Sequence, residues 1–219
     1  KISKDDFSNK TFKFGYGKFI TINSKKVWAQ RLSYVGELGF ELYIENNDAK
    51  EIYQLIVEEG KNHNLSHCGS HAMDIMRMES GFLHWGHDIS PEENQYQAGL
   101  NFAISYKKKT SFVGKESLLK IKDQEQFRRF IMLSLKDSKP GYPLLLHEEP
   151  IYLKDEIIGR TTSGNYSFNF KKNLSFGYVT SNHTNEELSK MDLYIEVAKQ
   201  KYPAKVEITP LKDKSSRFL

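Results

Sequence analysis

Cysteine is almost missing: the 219-residue chain has one, Cys68. That excludes an intrachain disulfide and suits a reducing compartment, so a cytoplasmic location is expected. No apolar run approaches the ~18 residues that a membrane-crossing helix needs. With 38% hydrophobic and 27% charged residues the chain has the composition of a soluble globular protein, and no membrane partner is expected. Lys1-Ile2-Ser3-Lys4 leads into polar residues, so no secretory signal is expected, and Lys in first place instead of Met suggests a processed or partial chain. Clustered basic charge is scarce as well. The net charge of +4 comes from 32 basic against 28 acidic residues, scattered singly, with Lys107-Lys108-Lys109 the longest run. This is a solvated surface and not the Arg-and-aromatic stripe of a nucleic-acid binder.

Several signatures of chemistry are also absent. There is no GxGxxG dinucleotide fingerprint and no GxSxG elbow, and Cys68 lacks the context of a nucleophile. His63, His67, Cys68 and His71 lie close enough in sequence to raise the question of zinc, as do His84, His87 and Asp88. Without a CxxC pair or HExxH spacing, surface and structural roles are the better reading, and no metal is assigned.

What is present is organised around residues 31–44, Arg-Leu-Ser-Tyr-Val-Gly-Glu-Leu-Gly-Phe-Glu-Leu-Tyr-Ile. Two β-rich runs, ending at Tyr34 and restarting at Leu38, flank Val35-Gly36-Glu37, which predicts a tight hairpin turn. Tyr34 and Glu41 then stand on opposite limbs. On one face, a phenol and a carboxylate would hold a flat polar heterocycle by stacking and paired hydrogen bonds. The same residues are equally consistent with a half-buried sheet tyrosine and a solvated glutamate.

Residues 1–44 read as β, with a turn at Asn23-Ser24. Asp48 and Glu51 match a capping box for a helix carrying Ile52, Leu55 and Ile56 and closed by Gly60. Ser70 is the expected N-cap of a second helix, along which Ala72, Met73, Met76 and Arg77 run to a stop at Gly81. Its methionines read as core filler. Residues 100–106 are expected to be a strand, and 112–119 open a short helix. After a connector at 123–129, short strands are predicted at 130–135, 150–153, 157–162, 174–179, 193–197 and 204–208, punctuated by Gly141, Gly159, Gly164 and Gly177. No internal repeat is visible. Two domains follow, 1–122 of mixed structure and 123–219 a small antiparallel barrel or sandwich, an α+β protein overall.

Three motifs in order, residues 31–41, His71-Ala-Met-Asp-Ile-Met-Arg-Met-Glu-Ser-Gly81 and His84-Trp-Gly-His-Asp88, resemble the C-terminal folate-binding portion of dimethylglycine and sarcosine dehydrogenases. That portion belongs to the glycine-cleavage T-protein (aminomethyltransferase) family. Phe112-Val-Gly-Lys-Glu116, Gly159-Arg-Thr-Thr-Ser-Gly164 and Asn173-Leu-Ser-Phe-Gly-Tyr178 extend the resemblance over nearly the whole chain.

The resemblance implies an α+β folate-binding region, residues 1–122, packed against a C-terminal β-barrel, residues 123–219, with tetrahydrofolate as cofactor. Tyr34 and Glu41 align with the family's pterin-binding tyrosine and glutamate, and Arg77 is retained as a third cofactor-binding candidate. The T-protein's folate-contacting arginine corresponds to Met73, and the dehydrogenases carry one near His71; neither arginine is present. The family's catalytic aspartate has no counterpart here. FAD would belong only to an upstream domain outside this sequence. The implied reaction is one-carbon transfer from a small methylamine-type substrate to give 5,10-methylene-tetrahydrofolate, in partnership with the N-terminal half of the same protein. The alternatives are a glycine-cleavage aminomethyltransferase and a non-catalytic folate-binding module. Ser33-Tyr34-Val35-Gly36-Glu37-Leu38 and Trp85-Gly86-His87-Asp88 favour the dehydrogenase type.

Overall fold

The computed structural model describes residues 2–213, which divide by packing into two units: residues 2–80 together with 212–213, and Gly81–Leu211. In the first unit, strands β1 (Gly17–Ile22), β2 (Lys25–Gln30) and β3 (Glu41–Tyr43) form an antiparallel sheet in that order. Asn23 and Ser24 take φ of 44° and 64°, the doubly left-handed geometry of the predicted two-residue turn. Strand alternation separates two faces. Ile20, Ile22, Val27 and Ala29 are buried with Phe12 and Ile52 in one apolar cluster. On the opposite face Phe19 pairs with Trp28, and Trp28 with Tyr43, in a row across all three strands.

Helix α1 (Asn46–Gly60) covers the apolar face through Ile52 and Ile56. It starts before the expected Asp48 cap. Asp48 lies in the first turn and is drawn instead to Lys25, 2.8 Å away, while Glu45 occupies the cap position without a side-chain cap bond. Helix α2 (Ser70–Glu79) has Gly69, not Ser70, as its N-cap. Ile75 and Met78 are buried, but Met73 is exposed, so the methionine stripe fills the core only in part.

The tight hairpin expected at residues 35–37 is a ten-residue connection, 31–40, between β2 and β3. The start of the connection is anchored at Arg31. Its backbone N–H donates to Tyr16 and its carbonyl accepts from Gly15, both at 2.9 Å, so it continues the pairing with the preceding segment. Its guanidinium is buried, donating to Phe12 O at 2.5 Å and to Asn9, with the Phe40 ring 5.8 Å away. From there the chain leaves the sheet, with the Leu32 N–H turned back to the Gln30 carbonyl at 3.1 Å, and rejoins it where Glu41 meets Gln30.

In the second unit the expected strand at 100–106 is absent. Leu100 N–H donates to Gln95, Ala103 to Leu100 and Ile104 to Asn101, local turn bonds that leave no ladder. Helix α3 (Lys115–Ile121) follows near its expected place. Strands β4 (Arg128–Leu135), β5 (Pro150–Leu153), β6 (Glu156–Ser167), β7 (Lys172–Thr180), β8 (Leu193–Val197) and β9 (Gln200–Val206) close an antiparallel barrel in the order β4-β7-β6-β5-β8-β9. Ile131, Leu133, Leu135, Ile151, Val179, Ile195 and Val206 are buried in its core, each contributing about 1.5–3 kcal/mol of apolar burial. Gly159 is required where β6 crosses β7, because a Cβ there would overlap the Tyr178 carbonyl. A short helix, α4 (Asn185–Leu188), interrupts the strand series; Thr184 and Glu187 cap it reciprocally. Among the described residues no helix is long and apolar enough to cross a membrane.

Candidate functional site

Glu41 opens β3 and, two residues from Tyr43, shares the sheet face that carries Phe19 and Trp28. Its carboxylate is exposed and Oε2 accepts a 2.8 Å hydrogen bond from the Tyr43 hydroxyl. That bond, reinforced by the negative charge, holds the Tyr43 phenol above its ordinary pKa. A carboxylate has about four lone-pair sites, so Tyr43 leaves acceptor capacity on Glu41 directed at solvent. Beside the pair lies an open groove of about 550 Å³, lined by Phe19, Lys26, Trp28, Tyr43, Asn46 and Asn47. Phe19 and Trp28 meet edge to face at 5.1 Å, with Lys26 Nζ 3.9 Å from the Phe19 ring centre. An exposed carboxylate next to an aromatic wall fits a flat ring that offers N–H donors along one edge.

Tyr34 is half-buried in the 31–40 connection, whose tip is fastened on both sides of it. Ser33 Oγ accepts from the Glu37 backbone N–H at 3.0 Å. Gly36 has φ of 71° and lies against Ser80, where a Cβ would overlap the hydroxyl. Ser80 Oγ reaches the Val35 carbonyl at 3.2 Å, and Lys212 Nζ reaches the same carbonyl at 3.3 Å and Glu37 Oε1 at 2.5 Å. The sequence singled out neither Ser80 nor Lys212 for a role in the site; no local pattern marks them, since their partners are 45 and 177 residues away in sequence.

Arg77, the third candidate, is placed differently. It is 1% exposed on α2, and its Nε and Nη2 both donate to Asp74 Oδ1, at 2.9 and 2.7 Å. A guanidinium held this way fixes Asp74 and the last turns of α2. His71 and Met73 are exposed on the first turn of the same helix. Of the other histidines, His67 meets the Tyr53 hydroxyl at 2.7 Å, and His63 lies 3.7 Å from Glu59.

In the second unit, Asp88 is buried with a defined task. Oδ1 accepts from the Thr162 and Ser163 hydroxyls at 2.5 and 2.7 Å, and Oδ2 from the His84 backbone N–H at 2.9 Å. Two motifs that the sequence shows separately, His84-Trp-Gly-His-Asp88 and Gly159-Arg-Thr-Thr-Ser-Gly164, are thus one structural tie.

The GCVT N-terminal domain model matches residues 1–108, and the glycine cleavage T-protein C-terminal barrel domain model matches residues 128–213. The chain belongs to the glycine-cleavage T-protein family. Relatives within reach of this family include the mitochondrial dimethylglycine dehydrogenase of Rattus norvegicus, 34% identical over 96% of this chain and 24% of that protein. The 4-methylaminobutanoate oxidase (formaldehyde-forming) of Paenarthrobacter nicotinovorans is 33% identical over 97% of this chain and 25% of its own length. An aminomethyltransferase of Listeria welshimeri is 31% identical over 96% of this chain and 55% of its own. The chain therefore spans about a quarter of the first two relatives and about half of the third. The fold matches the crystal structure of glycine cleavage system aminomethyltransferase T from Bartonella henselae with a TM-score of 0.78 at 21% identity, over 94% of this chain and 54% of that one.

Proposed function

We propose that the chain is the tetrahydrofolate-holding part of a one-carbon-transfer enzyme of the dimethylglycine- or sarcosine-dehydrogenase type. Its folate-binding region is residues 1–122 and its barrel domain residues 123–219. The observation that carries the reading is the exposed Glu41 carboxylate, partly engaged by Tyr43, beside an aromatic face and one residue past the loop that bears Tyr34. Glu41 accepts N–H bonds from the 2-amino-pyrimidinone edge of the pterin, Tyr34 flanks the ring, and Arg77 acts at one remove by holding Asp74. Tetrahydrofolate would supply the amine that takes up the one-carbon unit, leaving as 5,10-methylene-tetrahydrofolate. The unit would come from a small methylamine-type substrate that a flavin in the N-terminal half of the same protein would oxidise to an iminium. The two electrons would pass to the flavin, and the demethylated amine would leave as the carbon joins the folate amines.

Calorimetric titration of the native polypeptide with tetrahydrofolate tests this. Glu41→Ala is expected to weaken binding by roughly 1.5–3 kcal/mol, about ten- to a hundredfold, with Glu41→Gln in between and little change in stability. Glu58→Ala is the matched control, because Glu58 is exposed and pairs with Lys61, three residues on, at 2.5 Å. Equal affinity in all variants would make Glu41 an ordinary strand residue. A second reading, an aminomethyltransferase proper, draws support from the match to the Listeria protein over 55% of its length; release of ammonia during turnover of the native polypeptide would favour it.

A further inference from the structure

We propose that the segment following the last barrel strand is a clasp that sets the position of Tyr34, with Lys212 as the positioning residue; this rests on the reading of Tyr34 as a ligand-holding side chain. The backbone N–H of Lys212 donates to Glu79 O at 2.9 Å, which sets Lys212 against the last turn of α2. From there its side chain runs inward and is only 9% exposed. An ammonium ordinarily keeps its head in water and is buried only where oxygens meet it. Three do: Val35 O at 3.3 Å, Glu37 Oε1 at 2.5 Å and, at 3.7 Å, Oε2 of Glu79, whose own side chain is 1% exposed.

The geometry makes Tyr34 sensitive to this contact. Val35 follows Tyr34 directly, and both donors to its carbonyl, Ser80 Oγ and Lys212 Nζ, belong to the α2 side of the unit. Ser33 precedes Tyr34 and closes the turn onto Glu37, the residue that Lys212 holds by charge. Gly36 leaves no room for the loop to settle closer to Ser80. The backbone on either side of Tyr34 is therefore referenced to α2 through Lys212. Without Lys212 the Val35 carbonyl keeps one donor, Glu37 loses its cation, and the loop gains freedom that a bound ring must remove again at a cost in affinity.

The test uses Lys212→Met, Lys212→Arg and Glu37→Gln in the native polypeptide, with three readouts: hydrogen exchange at the Glu37 amide, affinity for tetrahydrofolate, and thermal unfolding. Lys212→Met is expected to accelerate Glu37 exchange at least about tenfold and to weaken tetrahydrofolate about tenfold. Lys212→Arg should restore most of both. Glu37→Gln, which leaves Lys212 beside Glu79, should act in the same direction more weakly without lowering the unfolding temperature; it decides the matter alone if Lys212→Met does not fold. Unchanged Glu37 exchange in Lys212→Met overturns the clasp, and faster exchange with unchanged affinity overturns its positioning role. A wild type that does not bind tetrahydrofolate instead refutes the folate reading, and the exchange data still decide whether Lys212 holds the loop.

Discussion

The barrel and the 31–40 connection hold their shapes by different means. Barrel strands repeat one rule: alternate residues such as Ile131, Leu133 and Leu135 turn inward while the backbone pairs with both neighbours, so each residue's place follows from its neighbours in sequence. The connection obeys no period. Val35 and Glu37 are fixed by side chains from the end of α2 and from Lys212, and Arg31 by Phe12 and Asn9. Periodic structure distributes its stability over many small burials, whereas the loop depends on a few contacts that a single substitution can remove.

That contrast can be broken or sharpened by substitution. The largest loss of stability is expected in the barrel, where Leu133 is fully buried. Leu133→Ala should cost about 2–5 kcal/mol in urea unfolding; a loss below about 1 kcal/mol would mean the core is not packed as described. Gly36→Ala should cost less overall, about 1–3 kcal/mol, because it adds left-handed strain and a clash with Ser80. Its effect should concentrate on Glu37 amide exchange, and a uniform loss of protection across the unit would erase the distinction between loop and barrel.

The smallest effect is a pH dependence at Glu93. Burial is the largest influence and pushes its pKa up, but hydrogen bonds from Ser90 and the pairing with Arg128, 2.7 Å away, outweigh it and hold the carboxyl below its ordinary value. With the folded-state value depressed, its contribution is complete above the ordinary carboxylate range and is lost as pH falls through the folded-state value. The stability difference between wild type and Glu93→Gln should therefore shrink as pH is lowered from about 7 to about 3; a constant difference would exclude this role.

The sequence was legible where residues answer to their neighbours. The Asn23-Ser24 turn and the strands at 150–153 and 193–197 appear as expected. The segment 100–106 has strand-like composition, yet Leu100, Ala103 and Ile104 spend their N–H groups on local turns. Asp48 carries a cap signal that Lys25, from β2, redirects. The Thr184–Glu187 capping box is a local signal, set within a run of strands. Tyr34 and Glu41 are candidates that pattern and family suggest, while the contacts that hold the 31–40 connection leave no mark in the sequence, because their partners come together only after folding.

The position of Lys212 also has a bearing on synthesis. Glu37 and its partner are separated by 175 residues. At the usual 5–20 residues per second, about 9–35 s elapse on the ribosome between the two. The sheet of the first unit can form early, but the Tyr34 loop meets its last anchor only when translation has passed the barrel. A ribosome that stalls within the barrel would release a chain whose sheet is made and whose loop is unfinished.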